Sequence, residues 1–210
     1  MSPGRIVDGE RGVQHGRIPW YSRAELDDEQ IGVYESIVGG PRASTSAFRL
    51  TNDDGRLEGP FNAMLVAPRL GSVLQELGAA IRYRTSLSNR EREVAILALA
   101  ALRRSDFEWY AHERVGHAAG LTHEEIAGIA DGHAVDTLSV AERLAHDVVG
   151  ELARERDLSD ERHAEARETL GLQRLAELVT LVGYYDTLSL SLTVWRTPLP
   201  EGELSTFQQD

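Results

Sequence analysis

Three side chains form a set able to move protons: Glu93, Glu108 and His112. Glu108 and His112 lie four residues apart in Ser105-Asp-Phe-Glu-Trp-Tyr-Ala-His112, so on a helix they project ~40° apart and can touch. A carboxylate beside an imidazole raises the imidazole pKa and fixes which ring nitrogen holds the proton, while an apolar pocket would push the carboxyl toward neutrality. Such a pair can give and take protons near neutral pH. Glu93 belongs to the preceding helix, and two helices joined by a few residues normally pack antiparallel, which can bring Glu93 over the same patch.

Each residue also has a purely structural reading. Ser105-Asp-Phe-Glu108 fits a capping box, in which Glu108 would only satisfy backbone donors at a helix start. A helix N-terminus also favours the ionised carboxylate, so capping and catalysis need not exclude each other. Glu93 sits in Arg90-Glu-Arg-Glu93, an alternation typical of a solvated face, yet helical spacing aligns it with apolar Ile96 and Leu97. A histidine in a core helix is most often a satisfied structural residue. His112 and His117 are five residues apart and diverge by ~140° around a helix, so the pair lacks the spacing of a zinc-binding His-Glu-x-x-His motif. No metal is expected. The remaining histidines, His15 among them, read as bystanders.

The elements that position these residues follow from the rest of the chain. The 210 residues suffice for one ordinary domain with extensions, and 41% hydrophobic with 27% charged residues is a globular balance. A net charge of −12 disfavours nucleic acid and anionic membrane surfaces as partners. Cysteine is absent, which removes disulfides, thiolate metal sites and thiol nucleophiles together. No apolar run approaches the ~20 residues of a membrane span, and no signal-peptide segment is evident, so a cytoplasmic home is expected.

Residues 1–18 read as a flexible tail, 19–198 as the helical domain and 199–210 as a second loose tail. Capping boxes at Ser22–Glu25, Ser88–Glu91, Thr122–Glu125 and Ser139–Glu142 mark helix starts, and Ser159 caps another. Asn52-Asp-Asp-Gly55 predicts a turn, with room for a small hairpin within 42–62. Leu70, Val73, Leu74, Leu77 and Ile81 predict a helix with one apolar stripe, and 173–195 a helix buried on most sides. The expected fold is all-α, a bundle of about eight helices.

The runs Leu87-Ser-Asn-Arg-Glu-Arg-Glu-Val-Ala-Ile-Leu97, Phe107-Glu-Trp-Tyr-Ala-His112 and Gly120-Leu-Thr-His-Glu-Glu-Ile126 resemble the carboxymuconolactone decarboxylase family, within the alkyl hydroperoxidase D-like (AhpD-like) superfamily. Gly59-Pro-Phe-Asn62 and Val182-Gly-Tyr-Tyr185 are similar to segments of its longer members. In the peroxidase branch, two cysteines would fall on Ser105 and Glu108, so that thiol chemistry is excluded in this chain. The decarboxylase-like branch carries Glu and His in the arrangement seen here.

The resemblance implies an oligomeric AhpD-like bundle (dimer, trimer or hexamer) acting without cofactor on a small-molecule substrate. It implies His112 as acid/base, Glu108 as its tuning partner and Glu93 as a second relay. Arg82, Arg84 or Arg92 would clamp a substrate carboxylate, and Trp109 or Tyr110 would wall the pocket. The reaction expected is decarboxylation of a small, anionic, cyclic carbonyl compound or lactone. The alternatives are a catalytically silent helical oligomer that binds a ligand or partner protein and, with less support, a peroxidase-related antioxidant function.

Overall fold

The computed structural model describes residues 13–40 and 47–207. Among them are nine α-helices and two short strands, an all-α fold as the sequence predicts. The helices are α1 (Asp28–Val38), α2 (Pro60–Met64), α3 (Pro68–Tyr83), α4 (Asn89–Arg103), α5 (Asp106–Ala118), α6 (His123–Ala130), α7 (Val140–Glu155), α8 (Asp160–Thr169) and α9 (Gly171–Trp195). No described helix is long and apolar enough to cross a membrane.

Helix α4 is the hub, packed against α5, α6, α7 and α9. Every residue from Glu91 to Ala100 is buried, the run from Val94 onward is apolar all round, and Ala95, Ala98 and Ala100 let its neighbours approach closely. Its start is held by the capping box of Ser88 and Glu91, in which each side chain meets the other residue's backbone N–H at 3.1 and 2.8 Å. The boxes that open α6 and α7 do a second task. Arg90 donates to Glu125 at 2.8 Å and to Glu142 at 2.6 Å, so one guanidinium ties three helix starts together.

Several expectations are corrected. The Ser22–Glu25 box closes only a 3-10 turn (Arg23–Glu25), and α1 opens instead on Asp27, whose side chain accepts from the Gln30 N–H. The stripe on α3 turns inward only in part: Ile81 is buried and Leu74 packs against the core as expected, but Leu70, Val73 and Leu77 are exposed, while Gly71, Gln75 and Gly78 face inward. Close approach decides this. A Cβ on Gly71 would lie 2.1 Å from the Met64 carbonyl oxygen, so only a glycine face seats α3 at that distance.

Of the expected tail, residues 1–12 lie outside the described residues; in the remainder β1 (Gln14–His15) pairs antiparallel with β2 (Ile18–Pro19) and His15 is fully enclosed. Residues 205–207 of the second expected tail are tied down: the Asp106 carboxylate accepts from Ser205, Thr206 and Phe207, and the Phe207 ring packs edge-on against Trp109. The Asn52 turn forms with a single bridge between Thr51 and Leu57; residues 41–46 of the expected loop lie outside the described residues.

Candidate active site

Helices α4, α5 and α9 bring the acid/base residues together with the end of α3. Glu93 stands one turn into α4 and is entirely enclosed. It receives His112 of α5: Nδ1 of the imidazole lies 2.6 Å from a Glu93 carboxylate oxygen. The antiparallel packing expected of α4 and α5 therefore does set Glu93 over His112. The expected contact between Glu108 and His112 is not made. Burial alone would raise the Glu93 pKa, but His112, Arg82 and Arg92 outweigh it and hold the carboxyl below its usual range. Burial likewise depresses the His112 pKa against the pull of Glu93, with Arg82 and Arg92 adding to the depression. At neutral pH the pair is an ionised Glu93 that accepts from a neutral imidazole at Nδ1. That leaves Nε2 with a lone pair for chemistry.

Glu108 occupies a different environment. Ser105 is the N-cap residue of α5 but makes no capping hydrogen bond, so the capping-box reading of Glu108 fails. Both carboxyl oxygens of Glu108 are buried without a hydrogen-bond partner. Its pKa is pushed up to about 8, first by burial and further by the Asp186 carboxylate, against smaller opposing effects of the nearby Ser105 and Ser189 hydroxyls. Glu108 is thus a neutral carboxylic acid at pH 7.

Glu108, His112 and Arg82 share a cavity of about 40 Å³, which Phe61, Phe107 and Tyr185 help to enclose. The volume holds a water molecule or two. Gly59 makes one wall possible. Its φ is +58°, and a Cβ there would lie 2.2 Å from the Phe107 ring, so the glycine lets Phe107 close over the site. The Tyr185 ring meets His112 edge-on at 5.1 Å between centroids. Arg82 ends α3 with its Nε enclosed and unpartnered, close enough to Glu93 and Tyr185 to feel both. Among the described residues, no three His, Asp or Glu side chains are grouped to hold a metal ion.

The other expected residues lie elsewhere. Arg92 is buried but turned to Asn89 at 2.7 Å and to Glu93 at 3.6 Å, behind the acid/base pair rather than in the cavity. Arg84 is exposed. Trp109 belongs to the core beside Phe207, and Tyr110 packs under Arg114 with ring and guanidinium 4.1 Å apart. Neither lines the cavity, because positions 109 and 110 point ~100° and ~200° around the helix from Glu108. Tyr185 and Ser189, one turn apart on α9, stand beside His112 and Glu108 respectively, and of the two only Tyr185 lies within the family-like segment 182–185.

Residues 68–151 match the model of the Carboxymuconolactone decarboxylase family, in agreement with the motifs. The match takes in Arg82, Glu93, Glu108 and His112. No curated protein matches the chain.

Proposed function

We propose, from the carboxymuconolactone decarboxylase family match over residues 68–151, that this chain is a cofactor-free decarboxylase of a small, anionic, unsaturated lactone or related cyclic carbonyl compound. The observation that carries the reading is the convergence of a neutral carboxylic acid, a neutral imidazole backed by an ionised carboxylate, and a part-buried guanidinium on one cavity. In this mechanism Arg82 holds the substrate anion and steadies the oxygen on which charge develops. The bond to the substrate carboxylate breaks, carbon dioxide leaves, and the bonding pair moves into the lactone system. Glu108 then gives its proton to carbon. Solvent restores that proton through His112 Nε2, while Glu93 keeps the imidazole in the right tautomer. The roles differ from those the resemblance implies: Glu108 is the acid, and Glu93 rather than Glu108 tunes His112.

A cavity of about 40 Å³ admits such a substrate only when its walls move, and the Phe61, Phe107 and Tyr185 side chains are the candidates. The proposal includes a homo-oligomer, supported by the family resemblance. Turnover in D₂O tests the chemistry: one deuterium should enter the product for each carbon dioxide released. His112→Ala, folded as judged by circular dichroism, should lose about a hundredfold or more in kcat. Undiminished turnover in that variant contradicts the assignment and favours a catalytically silent ligand-binding oligomer.

A further inference from the structure

A second group of enclosed polar side chains lies apart from the Glu108–His112 cavity and shares no lining residue with it. It borders a pocket of about 540 Å³ between the N-terminal hairpin, the segment from Arg49 to Glu58 and the chain around Pro198. That volume is in the range of small-molecule sites. His15 is completely enclosed, and neither of its ring nitrogens has a partner. Glu58 is 2% exposed, and one of its carboxyl oxygens is enclosed and unpartnered. Native interiors rarely leave two such groups on one pocket unsatisfied, because a buried polar group without its hydrogen bond is costly. The hairpin that carries His15 is nonetheless firmly seated. Arg17 N–H donates to the Trp195 carbonyl at 2.7 Å, and the Trp20 indole N–H to the Leu57 carbonyl at 2.8 Å.

We infer that this pocket binds a small organic cation, a protonated amine on a compact apolar body, with Glu58 as counter-ion and His15 as acceptor of an amine N–H. Charge sets the sign of the ligand. Among the described residues, Asp53, Asp54, Glu58 and Glu201 line the pocket against one cation, Arg49, whose guanidinium lies 2.5 Å from Asp53. Shape sets its body. Trp20 lies 4.7 Å from His15, ring to ring, and with Pro198 and Leu199 it supplies an apolar wall beside the polar end. Protonation supports the same reading. Burial pulls His15 down to about 4, so it is a neutral acceptor at pH 7, and burial pushes Glu58 up against the opposing charge of Arg49. A bound cation favours the ionised Glu58, so uptake of the amine releases protons.

Isothermal titration of the full chain with 2-phenylethylammonium, 2-phenylethanol and phenylacetate tests this. The amine should bind about tenfold or more tightly than the alcohol, with no detectable binding of the acid. Titrations at successive pH values from 4.5 upward, in buffers of different ionisation enthalpy, should show proton release with the amine alone. Glu58→Gln should weaken the amine about tenfold and abolish proton release, while turnover at the Glu108 site is unchanged. Equal binding of alcohol or acid, absence of amine binding at millimolar concentration, or full affinity in folded Glu58→Gln overturns the inference. If Glu58→Gln does not fold, the three-probe comparison decides on the wild type alone, with Glu201→Gln as the mouth variant expected to weaken the amine.

Discussion

Glu108 and His112 sit one turn apart on α5, yet their surroundings drive them to the same uncharged state by opposite routes. A carboxyl whose folded pKa is about 8 stays protonated while its unfolded counterpart ionises. Its effect on stability is therefore absent below the unfolded value near 4.5, grows unfavourable as pH rises, and is complete above about 8. Glu108→Gln should remove that penalty, so its stability relative to wild type should climb by about 5 kcal/mol between those limits. Chemical denaturation at several pH values checks this, and a pH-independent difference contradicts it. Glu93 runs the other way: its depressed pKa contributes stability above the unfolded carboxylate range that is lost as pH falls through the folded value. Glu93→Gln should lose turnover while leaving substrate affinity largely in place, measured as kcat against KM. The three candidates were readable in the sequence: four-residue spacing picks out Glu108 and His112, and the family-like motif adds Glu93. Its wiring was not. Spacing shows that Glu108 can reach His112, but the choice of Glu93 depends on how α4 and α5 rotate against each other, and Ser105 leaves the cap unmade.

Helix starts were the elements most readable from residues, since a capping box is a local arrangement that needs no distant partner. Ser88, Thr122 and Ser139 all open helices with both bonds of the box formed. The use of Glu125 and Glu142 as joint acceptors for Arg90 is a tertiary fact with no local signature. Arg90→Ala strands two carboxylates that are almost wholly enclosed, and should cost about 2–3 kcal/mol by thermal or chemical unfolding. A cost below about 0.5 kcal/mol would reduce the cluster to a surface ion pair. Helix α3 shows why periodicity misleads. Leu70, Val73 and Leu77 belong to its apolar stripe yet are exposed, because backbone proximity at Gly71 outweighs side-chain area there. Gly59→Ala should displace Phe107 from the cavity wall and impair turnover more than stability, since both the positive φ and the ring contact oppose a Cβ.

At the scale of the whole molecule, the buried α4 and the long α9 form a frame on which the α5 residues are presented to a small cavity. The all-α class was evident from the density of helix starts and apolar periodicity. The seating of the β1–β2 hairpin and of Phe207 was not, because Arg17 and Phe207 find their partners far away in sequence. The family resemblance leads us to expect sedimentation as an assembly larger than the 23.2 kDa monomer; a monomer at micromolar concentration would contradict that part of the proposal. The central claim is that Glu108, kept neutral by burial, protonates carbon during decarboxylation. Carbon dioxide release from 4-carboxymuconolactone, followed across pH in wild type and in Glu108→Gln, tests it most directly. Release that is steady at neutral pH, falls as pH rises through about 8 and vanishes in Glu108→Gln is the outcome expected. No release from folded wild type, or release that persists in Glu108→Gln, would contradict it.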